Sequence, residues 1–324
     1  MQSLIGKSCL GSLVAIALTV GAAANAAPLQ KLRVGYLKVG HLSPMLLVKD
    51  EMKTCGVDAQ LTEFVRYADS RTALLSDSVD VSSVGPADLL ISLAQGSDKI
   101  VGLTGVASSP KYLVVKKGVK IDGWDDIKGK RIGIAPGSAV WFQWAATMAE
   151  KGIPYNSFTA VNIQGGGTAF VQSLKRGDVD AVALWEPYES QVVEEGDAYF
   201  AKNVEYDKSR AVGNELGLLA ASKSSMTNNR DAVKCFLSSY QKAQDKLAKD
   251  PELFAATYSK FTGLPLTITG PSVRVIKLGA SLDLAQLQRQ AKEFHKLGVI
   301  QKDVSDKVAG AWDQSLIKEV RSAM

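Results

Sequence analysis

The sequence predicts an α/β fold in two lobes, each a mostly parallel sheet flanked by helices, with two hinge crossings between them. Three observations point there. Apolar strand-like segments alternate with helical ones from residue 32 to residue 196, the pattern of a sheet covered on both faces. About 298 residues remain once a leader is set aside, too many for one average core. A unit also recurs about one hundred residues apart. Leu74-Leu75-Ser76-Asp77-Ser78-Val79-Asp80-Val81 matches Leu174-Lys175-Arg176-Gly177-Asp178-Val179-Asp180-Ala181 in pattern. Each is a helix end, a turn and a buried strand, followed by a proline that opens a helix: Pro86 in one, Pro187 in the other. The alternative is a chance likeness of two ordinary turns.

The elements follow in order. Lys7 precedes an apolar run over residues 10–20, and Ala24-Asn25-Ala26 fits the A-x-A rule. This reads as a secretory signal peptide over residues 1–26, cut before Ala27. The run is shorter than the roughly 20 residues a membrane span needs. Cys9 lies before it, which argues against a lipid anchor. Residues 32–36 alternate as a strand. Ser43-Pro44 is a strong helix start, and Gly56 closes that helix. Strands are expected at 58–65 and 79–84, with a helix from Asp69 between them, and Gly85-Pro86 opens another helix that Gly96 ends. After the apolar stretch 111–117 the alternation restarts: strand 131–134, helix 139–151, strand 161–164, helix 168–175, strand 179–184 and a helix from Pro187. Residues 214–221 form one more strand. Helices then run over 229–249, 251–258, 284–297 and 304–321, a block too poor in strands for its own sheet, which therefore packs back onto the first lobe. The crossings fall at 111–117 and 214–221, giving lobe 1 as residues 27–115 plus 218–324 and lobe 2 as 116–217.

Charge and sulfur narrow the function. Without Lys7 there are 37 basic and 33 acidic groups, interspersed, with no basic block; nucleic acid is not an expected partner. Cys55 and Cys235 survive cleavage, and the reading favours two separate buried thiols over a pair, although an oxidising compartment permits pairing. His41 and His295 are far apart, and nothing has metal-ligand spacing. No cofactor is expected.

The strand, loop and helix of Gly35 to Pro44 carry a resemblance, together with Lys128-Gly129-Lys130-Arg131-Ile132-Gly133-Ile134 running into Pro136-Gly137-Ser138, and Gly177-Asp178-Val179-Asp180-Ala181 running into Trp185-Glu186-Pro187. In order and spacing these motifs resemble substrate-binding proteins of ABC importers, in the branch that serves sulfonates, taurine, nitrate and thiamine precursors. The resemblance implies a type II periplasmic receptor that closes on a small ligand and delivers it to an ABC permease in the inner membrane, acting as a monomer. The same fold carries a thiamine-pyrimidine synthase with a cysteine-rich motif; here Cys55 and Cys235 stand alone, which favours a non-enzyme. An exported enzyme and a sensory binding protein are the alternatives.

Ligands of doubly wound sheets sit at the carboxyl ends of strands, near helix N-termini. That selects His41-Leu42-Ser43, Gly85-Pro86, Gly137-Ser138-Ala139 and Trp185-Glu186. Gly137-Ser138-Ala139 suits an anionic group, unless Ser138 is a plain N-cap. Trp144 belongs to a core stripe; Trp141, nearer the helix start, either joins it or faces the cleft. Trp185 packs on a ligand or under the next helix. Glu186 meets a ligand donor or rests at the helix start. Arg66 clamps an oxyanion or is solvated, and His41 donates to an anion or caps a loop. Gly165-Gly166-Gly167 lacks the lysine of a phosphate loop and reads as a flexible turn. The expected ligand is a small organic anion or zwitterion with an apolar body, sulfonates first, then nitrate, aromatic carboxylates or a pyrimidine.

Overall fold

The computed structural model describes residues 29–279 and 282–324; the expected signal peptide lies outside the described residues. Three strand–helix units open the fold: β1 (Gln30–Leu37) into α1 (Met45–Lys53), β2 (Val57–Phe64) into α2 (Tyr67–Leu75), and β3 (Val81–Val84) into α3 (Pro86–Ala94). Strands β4 (Ile100–Ser108) and β5 (Tyr112–Lys116) follow. Three more units come next: β6 (Arg131–Ile134) into α4 (Ala139–Glu150), β7 (Thr159–Asn162) into α5 (Gly167–Arg176), and β8 (Ala181–Val182) into α6 (Tyr188–Glu194). After β9 (Ala198–Glu205) and β10 (Glu215–Ser222) come α7 (Lys223–Asn228), α8 (Arg230–Lys249), α9 (Pro251–Thr262), α10 (Leu266–Val275), the short β11 (Lys277–Leu278), α11 (Leu284–Lys296) and α12 (Ser315–Ser322).

These strands make two sheets with one plan. The first has the order β11-β4-β10-β3-β1-β2 and the second β7-β6-β8-β5-β9. In each, the strands of the three units pair in parallel. One strand reached from the other sheet then pairs antiparallel, β10 beside β3 and β5 beside β8. Both sheets are therefore mixed, although four strands in each run the same way. The repeat extends to side chains. Arg33 on β1 grips Asp80 through its backbone N–H, Nε and Nη2, and places Nη1 on the Asp77 carbonyl at 2.6 Å. Arg131 on β6 grips Asp180 and the Asp178 carbonyl with the same four contacts. Each clamp ties the strand of the first of three strand–helix units to the turn entering the strand of the third.

Apolar clusters cover both faces of each sheet. Leu32, Val34, Met45, Val48, Phe236 and Tyr258 pack one face of the first, and Leu89, Leu90, Phe142 and Phe294 the other. In the second, Trp144, Ile132 and Tyr206 fill one side, and Phe170, Leu174 and Val182 the other. Strand β4 escaped the sequence reading because Gly102 and Gly105 interrupt its apolar run. Gly102 is there for space: a Cβ would lie 2.6 Å from the Trp312 ring. Strand β9 and helix α10 were also unread, and the helix expected over 304–321 is instead a 3₁₀ turn at Val308–Ala311 followed by α12.

The segments read as crossings are sheet strands instead. Leu113, Val114 and Val115 are fully buried in the second sheet, and 215–222 is central to the first. The chain passes between sheets at 109–111 and 206–214. These two passages run side by side, with Ser109 N–H on the Asn214 carbonyl at 3.2 Å and Tyr206 N–H on the Lys111 carbonyl at 2.9 Å. Lys111 is fully buried there and pairs with Glu189 of α6 at 2.9 Å.

The cysteine reading needs correction. Cys55, just beyond α1, and Cys235 on α8 form a disulfide, with Cα atoms 6.2 Å apart. Separation of 180 residues hid the pair. Packing of α1 on α8, through Val48, Met52 and Phe236, brings the thiols together. The helical block thus returns to the first lobe.

Candidate binding cleft

Carboxyl ends of strands from both sheets face each other across a cleft of about 510 Å³. The first lobe supplies the turns after β1 and β2, the start of α2 and part of α3. The second supplies the turns after β6, β7 and β8. Of the residues singled out in the sequence, His41, Arg66, Gly137, Ser138, Ala139 and Trp185 line the cleft. Gly137 takes φ +86°, a left-handed turn that aims the following helix start at the cavity. Ser138 is the N-cap of α4: its Oγ accepts the Trp141 N–H at 3.1 Å. That leaves the Ala139 and Val140 amides without a partner inside the helix, and both residues line the cleft. The start of α5 is similar, with Gly165 and Gly166 at φ +100° and +77° and Thr168 on the wall. Glycine is needed here for conformation at Gly165 and Gly166 and for space at Gly167, where a side chain would run into the Tyr188 ring.

The remaining sequence-selected residues lie elsewhere. Leu42 and Ser43 are buried, and Ser43 Oγ donates to the Gly40 carbonyl at 2.7 Å. Gly85 donates its N–H to Asp88 at 3.0 Å, and Pro86 opens α3 behind the wall. Trp141 is turned away: its Nε1 donates to the Tyr155 hydroxyl at 2.6 Å and its ring meets Phe142 edge-on at 4.9 Å. Glu186 is buried under α6, where it accepts from the Ser190 N–H at 3.1 Å, Ser190 Oγ at 2.7 Å and Ser272 Oγ of α10 at 3.0 Å. It closes the start of α6 and links the lobes, and does not face the cavity.

The walls are aromatic and ionic. Trp185 meets Phe170 edge-on at 5.5 Å and Tyr188 at 6.4 Å; Phe64 and Tyr67 stand across the gap. Of these the sequence reading selected Trp185 alone. Lys38 pairs with Glu63 at 2.9 Å, Arg66 with Asp69 at 2.8 Å and Arg71 with Asp88 at 2.8 Å. Arg66 Nη1 also reaches across to Gln164 at 3.5 Å. Burial, which outweighs Arg71 and the Gly85 N–H, pushes Asp88 up to about 6. Burial, with the Lys111 charge, pulls His41 down to about 3, so the ring is neutral. Its Nε2 lies 2.7 Å from the Tyr67 hydroxyl. That hydroxyl donates to the Leu216 carbonyl at 3.2 Å, so His41 is the donor to Tyr67. Arg71 and Asp88 had a legible signal: Arg71 follows Tyr67 by four positions on one helix face, and Asp88 stands three after the Gly85 N-cap. Among the described residues no group of three His, Cys, Asp or Glu is placed to hold a metal.

Two like-built lobes, a double crossing and a cleft at the strand ends define the class: this is the fold of the periplasmic binding proteins. The alkanesulfonate-binding protein SsuA from Xanthomonas axonopodis pv. citri, solved with MOPS bound, superposes with a TM-score of 0.75 at 22% identity, over 89% of this chain and 99% of that one. The chain belongs to the NMT1/THI5 like family, whose model matches residues 51–253. A protein of Escherichia coli (strain K12) named for aliphatic sulfonate binding is 24% identical over 317 residues, covering 94% of this chain and 95% of that protein. A Bacillus subtilis (strain 168) protein of the same name is 26% identical over 194 residues, 56% of this chain and 57% of its own length. Among the described residues no helix is long and apolar enough to cross a membrane.

Proposed function

We propose that this protein is an exported solute receptor that binds a small organic anion or zwitterion in its cleft and delivers it to an ABC permease, acting as a monomer in the periplasm. One observation carries the reading: rings grouped around Trp185 and the starts of α4 and α5, whose first amides have no partner within their helices, line the same cleft. The rings suit an apolar body, and the amides suit an oxyanion. A sulfonate with an alkyl or aryl body meets both demands, and relatives named for aliphatic sulfonate binding support it. Nitrate has no body for the rings to hold. A carboxylate or a pyrimidine fits the same walls less completely. The lobes, divided at the paired passages 109–111 and 206–214, close on the ligand, and greater affinity for the closed form supplies the shift.

Binding without turnover is favoured by the state of the side chains. His41 spends its Nε2 on Tyr67, Ser138 Oγ is engaged by the Trp141 amide, and both cysteines are joined outside the cleft. Among the described residues no serine, threonine or cysteine side chain of the cleft is hydrogen-bonded to a base. Native mass spectrometry of protein from its host, followed by calorimetry with alkanesulfonates, aryl sulfonates, carboxylates and nitrate, tests the reading. One retained organic anion per chain and sulfonate binding are expected. Preference for nitrate, or conversion of a bound ligand, overturns it.

A further inference from the structure

Every cation lining the cleft already has a carboxylate. Lys38 and Arg66 are roughly half exposed, with side-chain exposures of 48% and 55%, and their partners Glu63 and Asp69 are also open to water. Such pairs are weak and exchange readily with a ligand. The Arg71–Asp88 pair differs: its side chains are 18% and 4% exposed, and Asp88 is fixed twice, by Arg71 at 2.8 Å and by the Gly85 N–H at 3.0 Å. A guanidinium held in this way is the strongest potential anion clamp in the cleft, and Asp88 occupies it.

We propose that Asp88 sets the net charge of the ligand: by holding Arg71 it makes the cleft take a ligand of charge zero or −1 and reject a dianion, and neutralising Asp88 hands Arg71 to the ligand's acid group. This deepens the binding role proposed above and rests on it. The chemistry is competition for one fork of donors. While Asp88 is ionised, the pair is close to neutral, and an incoming oxyanion meets a guanidinium whose charge and donors are already engaged. A dianion brings two charges to desolvate, with only helix amides in compensation. A zwitterion brings a cationic group that a carboxylate-bearing wall favours.

Asp88 is also placed to titrate. Burial raises it to about 6, against Arg71 and the Gly85 N–H, while Asp69 adds to the rise. Tyr67, at the start of α2, is the other titratable group beside it, and remains protonated. Glu215 of β10 lies by Pro86 and Ala87 at the back of α3, held by Gln290. The other sides of α3 meet Ile100, Phe142 and Phe294, which carry no charge. As pH falls through about 6, Asp88 gains a proton, Arg71 is released, and affinity for a monoanion rises.

The test uses the mature protein and three sulfonates of one chain length: 3-aminopropanesulfonate (net zero), propanesulfonate (−1) and 3-sulfopropanoate (−2). Calorimetry compares wild type, Asp88→Asn and the double variant Arg71→Gln/Asp88→Asn at pH 7.5. In wild type the order of affinity is zwitterion and monoanion above dianion. Asp88→Asn gains about tenfold or more for the dianion, and the double variant loses that gain. With wild type alone, affinity for propanesulfonate rises severalfold from pH 7.5 to 5, an arm that stands even if a variant fails to fold. Unchanged affinities in Asp88→Asn together with a flat wild-type profile overturn the inference while leaving the receptor reading intact. Wild type that binds none of the three at any pH overturns the sulfonate reading and the inference with it.

Discussion

Replacing both Cys55 and Cys235 by serine removes a covalent loop without opening the core. The bridge spans 180 residues. In the chain-entropy account a loop of that length restricts the unfolded state by about 5 kcal/mol at 25 °C, the upper end of the usual 2–5 kcal/mol. Native stability is typically 5–15 kcal/mol, so the loss is a large share of the whole. The fold itself should persist, because α1 and α8 still meet through Val48, Met52 and Phe236. Urea unfolding of the double variant reads the effect. With a slope of about 2–3 kcal/mol/M, a loss of about 5 kcal/mol lowers the midpoint seen by circular dichroism by roughly 2 M. Tryptophan fluorescence adds a second reading, since Trp124, Trp144 and Trp185 pack in the second lobe. Its transition should move less if the lobes unfold separately. A circular-dichroism midpoint within about 0.3 M of wild type, with unchanged slope, refutes the reasoning.

Two further outcomes follow. Trp185→Ala lowers ligand affinity about tenfold or more, about 1.4 kcal/mol, with the fold intact by circular dichroism; equal affinity in calorimetry removes Trp185 from the site. Burial, against Lys111, pushes Glu189 up to about 8. An acid raised in the folded state adds stability that is full below its unfolded value near 4.5 and lost as pH rises through the folded one. His41, lowered to about 3, adds stability lost only as pH falls below about 6.5. Between pH 6.5 and 8 the decline therefore belongs to Glu189. Thermal midpoints of the wild type should fall across that window; a level wild type refutes the assignment.

Much of the fold was legible because local signals agreed with the global plan. Ser138 reads as an N-cap and is one; Pro86 and Pro187 open helices in matching places; the echo of Asp80 and Asp180 becomes a pair of matching arginine clamps. Local pattern failed where distant chain decides. Gly102 looks like a strand breaker until Trp312 is laid against it. Cys235 looks solitary until α8 lies on α1. In the cleft, residues at strand ends were readable, because position alone puts Gly137 and Trp185 there. Glu186 looked equally eligible, but its carboxylate finds Ser190 within its own helix and Ser272 across the lobes, and turns inward. Arg71 and Asp88 were passed over because each looks like an ordinary helix-surface charge until α2 and α3 are set side by side.

Strand β10 is wedged between β3 and β4, yet it emerges only after the whole second sheet has been made. Lobe 2 is one unbroken stretch and can assemble as soon as it is complete. Lobe 1 must wait with an open seam beside β3, a bare strand edge of the kind that recruits neighbours. A carrier holding the chain unfolded until residue 222 is out would spare it that exposure, and any truncation before that point should aggregate rather than leave a smaller working half.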